Sequence, residues 1–309
     1  MAKVIRTRNA HQSHIVKLLN GMTGRFSLWN IWQDFITMAA VSISNVLQNP
    51  HSAEREKMYE RCASKYSVQE LTTFAEILAE VAQSMEEYPD QDFLGELFMA
   101  LGLGNEWAGQ FFTPYSVCRA MSAMTIDNNI EERIAKQGWV SVNDPACGAG
   151  ALLIAYANEC KKRGINFQTS VLFVAQDIDT IAGLMCYIQL SLMGCPGYVV
   201  IQNTLTNPST SFDARGLLPH DNPNVWYTPF YNSPIWQGRR FASQMDLLFK
   251  NMSPPLTKPQ EPIIETPLDN NDTNTQVNLF ARGSKHHIRC ETASRAARIK
   301  RDEAWRSNI

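Results

Sequence analysis

The sequence has 309 residues, 44% of them hydrophobic, which is enough for one large or two small domains with a substantial core. Its formal net charge of -2 excludes a uniformly basic surface, although local basic patches are compatible with it. Seven scattered cysteines without a C-x-x-C pair argue against a disulfide framework or a zinc site, and no apolar run reaches the roughly 18 residues of a membrane span, so we expect a cytoplasmic protein.

The N-terminal third of the chain has the spacing of helices. Residues 1–24 are polar, and we expect them to be irregular. Apolar residues then recur at helical spacing over residues 26–47. Further along, Ser67 and Glu70 have the spacing of a capping box at the start of another helix. We therefore predict a helical N-terminal region over residues 1–105.

Beyond Gly109, short apolar runs alternate with helical patterns. The runs lie at residues 139–143, 171–175, 198–201 and 225–227, and the helical patterns lie at 149–162, 179–193 and 241–251. This alternation is typical of βαβ units and a parallel sheet. Residues 106–251 are therefore predicted to form an α/β domain. Residues 252–309 are rich in Pro, Asn, Asp and Thr and then in Arg and Lys, which predicts a disordered linker and a basic tail.

The segment Asp144-Pro-Ala-Cys-Gly-Ala-Gly150 lies between a predicted strand and a predicted helix. Gly148 and Gly150 permit a tight turn and a close approach of a ligand to the backbone, and the following helix directs its N-terminal amides at that ligand. A dinucleotide fingerprint needs a third glycine where Leu153 stands. An acid before the turn instead suits a ligand with an ammonium group, such as the methionine end of S-adenosylmethionine (SAM). The alternative is an ordinary strand-to-helix turn.

Acidic residues also follow the second predicted strand. Asp177 stands at its end, where an acid commonly binds ribose hydroxyls in sheets of this kind. Asp179 is placed to begin the next helix. The alternative is that both residues only cap local structure.

Four segments follow one another in a recognisable order. They are Gly109-Gln-Phe-Phe-Thr-Pro114, Asp144-Pro-Ala-Cys-Gly-Ala-Gly150, Gln176-Asp-Ile-Asp179 and Gln202-Asn-Thr-Leu205. In this order they resemble motifs of adenine-N6 DNA methyltransferases, above all the modification subunits of type I restriction systems. Asp92-Phe-Leu-Gly95 is similar to the helical lead-in of those subunits. The resemblance covers residues 90–207 and implies a Rossmann-like SAM-dependent methyltransferase sheet, here short, preceded by a helical domain.

The resemblance also implies a SAM site. No metal site is expected, because the cysteines lack metal-ligand spacing. The residues it assigns to the cofactor are Phe112, Thr113, Pro114, Asp144, Ala146, Gly148, Gly150, Asp177, Ile178 and Asn203. Residues 112–114 would line the methionine side, Asp177 would bind ribose and Ile178 would pack on adenine. Asn203 stands where the family usually has an acid that accepts from the adenine amino group, and an asparagine carbonyl can accept that bond.

The catalytic signature of the resembled family, N/D/S-P-P-Y/F after the fourth strand, is absent from the sequence. In that family it binds the amine of a flipped-out adenine. Two segments compete for its place, Tyr227-Thr-Pro-Phe230 and Asn232-Ser-Pro-Ile235. The candidate catalytic residues are Asn232, Pro234, Tyr227 and Phe230. Asn232 is favoured because its side chain can accept from the amine, with Phe230 or Trp236 stacking on the base. We expect this segment on the same sheet edge as the glycines, although an ordinary proline turn is an alternative.

A short motif in the tail points to a partner. Gln276, Leu279 and Phe280 resemble the peptide that bacterial DNA-polymerase sliding clamps bind, with a glutamine to hydrogen-bond and an apolar pair to fill a pocket. The alternative is a chance apolar spot.

Together these observations favour a SAM-dependent DNA methyltransferase acting on adenine N6. With few residues left after Trp236 for target recognition, we expect a partner such as a specificity subunit to supply DNA specificity. The alternative is a non-catalytic, DNA-associated SAM-binding protein, a decoy or partner subunit in restriction or replication. Methyl transfer to RNA or protein is a third possibility.

Overall fold

The computed structural model describes residues 7, 9–46, 50–104, 112–220 and 222–252. The first part of these ranges is helical, as predicted. Its helices are α1 (Ala10–Met22), α2 (Leu28–Asn45), α3 (Ser52–Ala63), α4 (Val68–Glu87) and α5 (Phe93–Ala100). The capping box at the start of α4 is confirmed: the Glu70 amide donates to Ser67 Oγ, and the Ser67 amide donates to the Glu70 carboxylate.

The expectation of an irregular N-terminus is wrong, because α1 occupies Ala10–Met22. The Asn9 side chain caps this helix by accepting from the Gln12 amide at 2.8 Å. Ile15 and Leu19 are fully buried on its inner side. A few apolar residues at helical spacing are enough to stabilise α1 because α2 and α4 cover them.

Strands and helices alternate in the second part of the chain, which confirms the predicted α/β pattern. In chain order the elements are α6 (Tyr115–Thr125), α7 (Ile130–Gln137), β1 (Val140–Asp144), α8 (Ala151–Lys162), α9 (Phe167–Ser170), β2 (Val171–Asp177), α10 (Thr180–Leu192), β3 (Gly197–Ile201), β4 (Val225–Tyr227), a 3-10 turn (Pro229–Asn232) and α11 (Pro234–Met252). The last helix begins at Pro234, seven positions before the start that was predicted, because a proline is well tolerated in a first helical turn. None of the described helices is long and apolar enough to cross a membrane.

The four described strands form one sheet in the order β1-β2-β3-β4. The first three are parallel and are joined through helices, so their carboxyl ends lie along one edge, called here the carboxyl edge. In the register, Asp144 lies opposite Ala175 and Asp177 opposite Ile201. The fold is therefore a short Rossmann-like α/β sheet preceded by helices, as expected.

The last strand, β4, runs antiparallel to β3, with Tyr227 opposite Tyr198. The chain therefore leaves β4 at the amino edge of the sheet, opposite the carboxyl edge. This contradicts the expectation that residues 227–236 share an edge with the glycines. A three-residue strand carries too little pattern to reveal its direction.

A single large core lies on one face of the sheet. It joins side chains of α1, α2, α4 and α5 to those of α8, α10 and the strands, from Ile15 to Trp226. Helix α10 lies at its centre, and α2 packs directly against it. The predicted helical region and the α/β region therefore share their hydrophobic interior, within a compact unit that spans Met1–Ser253.

A smaller cluster covers the other face of the sheet. Its members are Trp139, Leu172, Val174, Tyr198, Val200, Leu217, Val225, Tyr231 and Trp236. Trp139 and Trp236 meet edge to face with ring centroids 5.6 Å apart. The Trp236 Nε1 also donates to the Gln168 carbonyl at 2.8 Å, which fixes the start of α11 against α9.

Candidate cofactor and active site

The turn after β1, residues 144–150, is here called the glycine turn, and it lies at the carboxyl edge. Gly148 and Gly150 have φ angles of 53° and 94°, in the left-handed region that favours glycine. A Cβ on Gly150 would come within 2.8 Å of the Cys186 sulfur on α10, so this position has no room for a side chain. The Gly150 amide closes the turn by donating to the Cys147 carbonyl at 2.8 Å. The sequence-predicted backbone cradle is therefore formed.

Asp177 at the end of β2 holds the glycine turn in place. One carboxylate oxygen accepts from the Gly148 amide at 2.8 Å, and the other accepts from the Asp179 amide at 2.9 Å. Asp179 itself caps α10 by accepting from the Ala182 amide at 2.8 Å. Because a carboxylate oxygen can accept more than one hydrogen bond, Asp177 can also receive a ligand hydroxyl.

Asp144 lies beside Asp177 at the carboxyl edge. Burial raises the pKa of the Asp144 carboxyl, the hydrogen bond from the Ala146 amide (3.2 Å) lowers it, and the charge of Asp177 raises it further. Neither carboxylate forms an ion pair with another described residue. Two neighbouring acids that pair with no cation in the described part of the chain favour a positively charged ligand at this edge.

The loop after β3, residues 202–209 and here called the β3 loop, borders the same edge. Asn203 is exposed, and its side-chain oxygen accepts from the Leu205 amide at 2.9 Å. The Thr204 hydroxyl donates to the Pro145 carbonyl of the glycine turn at 2.6 Å. Ile178, 69% exposed after β2, presents an apolar surface to any ligand there. The structure thus brings Asp144, Asp177, Ile178 and Asn203 to one edge, as the sequence analysis expected.

The helical region supplies one wall of this site. The Phe112 ring lies so close to the glycine turn that a Cβ on Gly148 would approach it to 3.1 Å. Phe98 of α5 packs on Phe112 with ring centroids 5.5 Å apart. Thr113 and Pro114 follow as exposed residues before α6. Residues 109–111 of the same predicted motif lie outside the described residues.

Two buried glutamines that are not among the predicted site residues fasten this site. Gln189 of α10 donates to the Ala149 carbonyl (2.8 Å) and to the Asp92 carboxylate (2.9 Å), and it accepts from the Leu94 amide (3.0 Å). It thereby ties the start of α5 to the glycine turn. Gln176 of β2 makes a similar set of bonds to the β3 loop. The signal in the sequence is an amide within an otherwise apolar run.

The candidate catalytic residues lie at the other edge of the sheet. Thr228 donates to the Cys195 carbonyl at the start of β3, and Phe230 lies against Gly194. Trp236 is fully buried, so it is not available to stack on a base. The Asn232 side chain accepts from Arg240 at 3.3 Å. Tyr227, Phe230, Asn232 and Pro234 are therefore not brought together with the residues of the glycine turn.

Two further predictions concern a metal site and the peptide in the tail. Among the described residues, no group of three or more His, Cys, Asp or Glu side chains is arranged to hold a metal. The tail peptide with Gln276, Leu279 and Phe280 lies outside the described residues.

Comparison with known families agrees with this geometry. The family model described as N-6 DNA methylase matches residues 100–260, which is more than half of the chain. The chain belongs to the N-6 DNA methylase family. Its cofactor is accordingly SAM, and the glycine cradle with two acids that have no cation partner among the described residues fits that cationic ligand.

Comparisons with individual proteins add little to this assignment. A search of curated proteins finds no match. Among solved structures, a candidate class I SAM-dependent methyltransferase from Listeria monocytogenes aligns with 79% of this chain and 80% of its own chain. The two are 15% identical and superpose with a TM-score of 0.35. The fold of this N-6 DNA methylase is therefore assigned from its own strand order and not from that similarity.

Proposed function

We propose that this methyltransferase transfers the methyl group of SAM to adenine N6 in DNA, and that a partner completes its acceptor side. The observation that carries the proposal is the pair of carboxylates at the carboxyl edge, Asp144 at the start of the glycine turn and Asp177 bonded to the Gly148 amide within it. The family match to N-6 DNA methylases supports adenine and DNA as the acceptor.

SAM supplies a methyl group activated by a neighbouring sulfonium. The chain contributes binding and orientation: Asp144 would pair with the ammonium of the methionine end, and Asp177 would accept from the ribose hydroxyls. Ile178 and Asn203 would contact the adenine end, Ile178 by packing and Asn203 through its carbonyl oxygen. Holding the donor rigidly is a large part of catalysis for such a transfer, because proximity and orientation lower the barrier.

Partner dependence is supported by the direction of β4. The described segment with the right prolines and aromatics leaves β4 at the amino edge, away from Asp144 and the glycine turn. A second polypeptide, such as a specificity subunit of a restriction–modification system, would then present the flipped-out base to the bound cofactor.

The same observation favours a second candidate function. If no polypeptide adds an acceptor pocket, the chain would bind SAM without transferring its methyl group, as a decoy or partner subunit. The buried state of Trp236 and the bond from Arg240 to Asn232 favour this candidate, because both side chains are engaged in packing the amino edge.

Transfer of labelled methyl from SAM separates the candidates. The purified protein, alone and with proteins that co-purify with it, is incubated with adenine-containing DNA, the same DNA premethylated at N6, RNA and protein. We expect label in unmethylated DNA only, lost in Asp144→Ala and kept in the matched control Asp246→Ala on the exposed side of α11. SAM binding without transfer in every mixture would establish the non-catalytic candidate instead.

A cytoplasmic location is also part of the proposal, and the six free thiols among the described residues favour it.

Clamp binding by residues 276–280 is a further part of the proposal. A peptide covering residues 274–282 should bind a bacterial sliding clamp, and the same peptide with Leu279→Ala and Phe280→Ala should not. Equal binding of the two peptides would rule the motif out.

A further inference from the structure

The β3 loop is fastened by one buried side chain. Gln176 is fully buried on β2, and its amide nitrogen donates to the Gln202 carbonyl (3.2 Å) and to the Asn207 carbonyl (2.8 Å). Its amide oxygen accepts from the Ser209 amide at 2.8 Å. Both N–H groups and the oxygen of this side chain are therefore committed to the two ends of the loop.

The backbone at the same position fastens the glycine turn. The Gln176 carbonyl accepts from the Cys147 amide at 2.9 Å, and the Asp177 carbonyl accepts from the Gln202 amide at 3.0 Å. The last two residues of β2 thus join the glycine turn on one side to the β3 loop on the other. A shift of the Gln176 side chain would move the loop relative to the glycine turn.

Little apolar packing holds the β3 loop itself. Leu205 is 93% exposed, and Asn203 and Asn207 are exposed as well. The loop closes on itself through a bond from the Asn207 amide to the Asn203 carbonyl at 2.9 Å. Its position therefore depends on polar contacts. The bond from the Ser209 amide to Gln176 is buried and the two bonds from Gln176 are partly buried, so their loss is costly.

We propose that Gln176 is a positioning residue that sets the selectivity of the cofactor site for adenine, by holding Asn203 at the height of the adenine amino group. The inference rests on the proposed contact between Asn203 and adenine. The Asn203 oxygen accepts one bond from Leu205 and retains a lone pair for the amine. Without Gln176 the loop would relax, and binding would no longer distinguish an amino group from a carbonyl on the purine.

The test compares S-adenosylhomocysteine with S-inosylhomocysteine, whose purine has a carbonyl in place of the amino group and a proton on the adjacent N1, by calorimetry on the full chain. Wild type should prefer the adenosyl compound by about tenfold, since a hydrogen bond of this kind contributes roughly 1.4 kcal/mol. Gln176→Leu should reduce that preference to near unity. Asn203→Ala, an exposed substitution, should do the same, and the double variant should lose nothing more.

Gln189→Leu is the matched control, because it removes a second buried glutamine with three hydrogen bonds that does not touch the β3 loop. It should lower thermal stability and overall affinity while preserving the adenosyl-to-inosyl ratio. If Gln176→Leu does not fold, Gln176→Met takes its place, and amide exchange of Ser209 in wild type provides a second measurement. A bond to a buried acceptor predicts slow exchange of that amide, although the neighbouring residues 205–208 are exposed.

The outcomes separate this inference from the function on which it rests. A Gln176 variant that folds and keeps the wild-type ratio, or a Ser209 amide that exchanges at the rate of an open loop, would overturn the role of Gln176 alone. A wild type that binds neither homocysteine compound would overturn the cofactor assignment and the inference together.

Discussion

Asp144 carries a charge where the protein alone does not favour one. Because burial and the charge of Asp177 raise the pKa of its carboxyl, its contribution to stability is full below the unfolded value of about 3.8 and is lost as the pH rises through the folded value. At neutral pH the ionised carboxylate therefore destabilises the protein without ligand. A cationic ligand would remove this cost.

Asp144→Asn should separate stability from binding. Without SAM, the variant should melt at a higher temperature than wild type at pH 7, and the difference should shrink as the pH falls. Its affinity for SAM should drop at least about tenfold, because a hydrogen bond between charged groups is replaced by a neutral contact. Thermal melts and calorimetry between pH 4 and 8 test both effects. An unchanged affinity for SAM would contradict the assignment of Asp144 to the ammonium group.

At the scale of elements, α1 is held to α4 by contacts between histidines and glutamates. The Nδ1 of His11 lies 2.5 Å from Glu80, its Nε2 lies 3.4 Å from Glu87, and the Nδ1 of His14 lies 2.8 Å from Glu80. The bond to Glu80 raises the pKa of His11, burial lowers it and the bond to Glu87 raises it. The bonds to both histidines lower the pKa of Glu80.

The attachment of α1 should therefore be strongest in mildly acidic solution. The His11 contribution is full below about 6.5 and is lost as the pH rises through the higher folded value, whereas the Glu80 contribution is lost as the pH falls below about 4.5. The effect should be small, about 0.5 kcal/mol, because these groups are solvent-accessible. Protection factors of the α1 amides, which correct for the intrinsic pH dependence of exchange, should be higher at pH 5.5 than at pH 8. His11→Gln should remove this difference.

Arg55 joins α3 to the sheet. The guanidinium is buried, donates to the Ser44 hydroxyl (2.5 Å) and the Val225 carbonyl (2.7 Å), and lies over the Trp226 ring at 3.9 Å. Desolvation by burial lowers the pKa of Arg55, but the group stays charged at neutral pH.

Arg55→Lys should destabilise the protein by about 2 kcal/mol, because one ammonium cannot reach the hydroxyl and the carbonyl together while lying over the ring. Urea unfolding measures the change, and Arg61→Lys, an exposed position on the same helix, serves as the control. A loss no larger than that of the control would mean that β4 is held by its strand pairing alone.

The whole molecule depends on the common core of its two regions. Residues 106–309 alone should not fold, because removal of α1 to α5 exposes the face of α10 that packs on α2 and α5. Each large apolar side chain exposed in this way costs roughly 1.5–3 kcal/mol. Circular dichroism and SAM binding of the truncated chain test this expectation. Cooperative unfolding and wild-type affinity would show that the helical region is dispensable.

Much of the molecule follows from the sequence because its periodicity is regular. The runs at 171–175 and 198–201 are continuously apolar and become β2 and β3, which are buried on both faces. The glycine turn is predictable because only glycine permits the backbone angles it requires. The capping box is predictable because it depends only on Ser67 and Glu70, three positions apart.

The features that the sequence does not predict depend on contacts between residues that are distant in the chain. Nothing in Val225–Tyr227 indicates that β4 pairs antiparallel to β3, since 23 residues separate the two strands and permit either direction. Gln176 and Gln189 were missed because their partners lie as far away as 33 and 97 residues. The polar residues around α1 also concealed a helix that needs its neighbours to be stable.

The edge-to-face pair of Trp139 and Trp236 gives the molecule an optical signature of its own. Two indoles with centroids 5.6 Å apart and planes at 75° couple their electronic transitions, so circular dichroism should contain a paired positive and negative band. Replacing Trp236 by phenylalanine would remove that band while the helical signal stays. Because Trp236 lies in the first turn of α11, any binding event that shifts this helix would alter the band without an added dye.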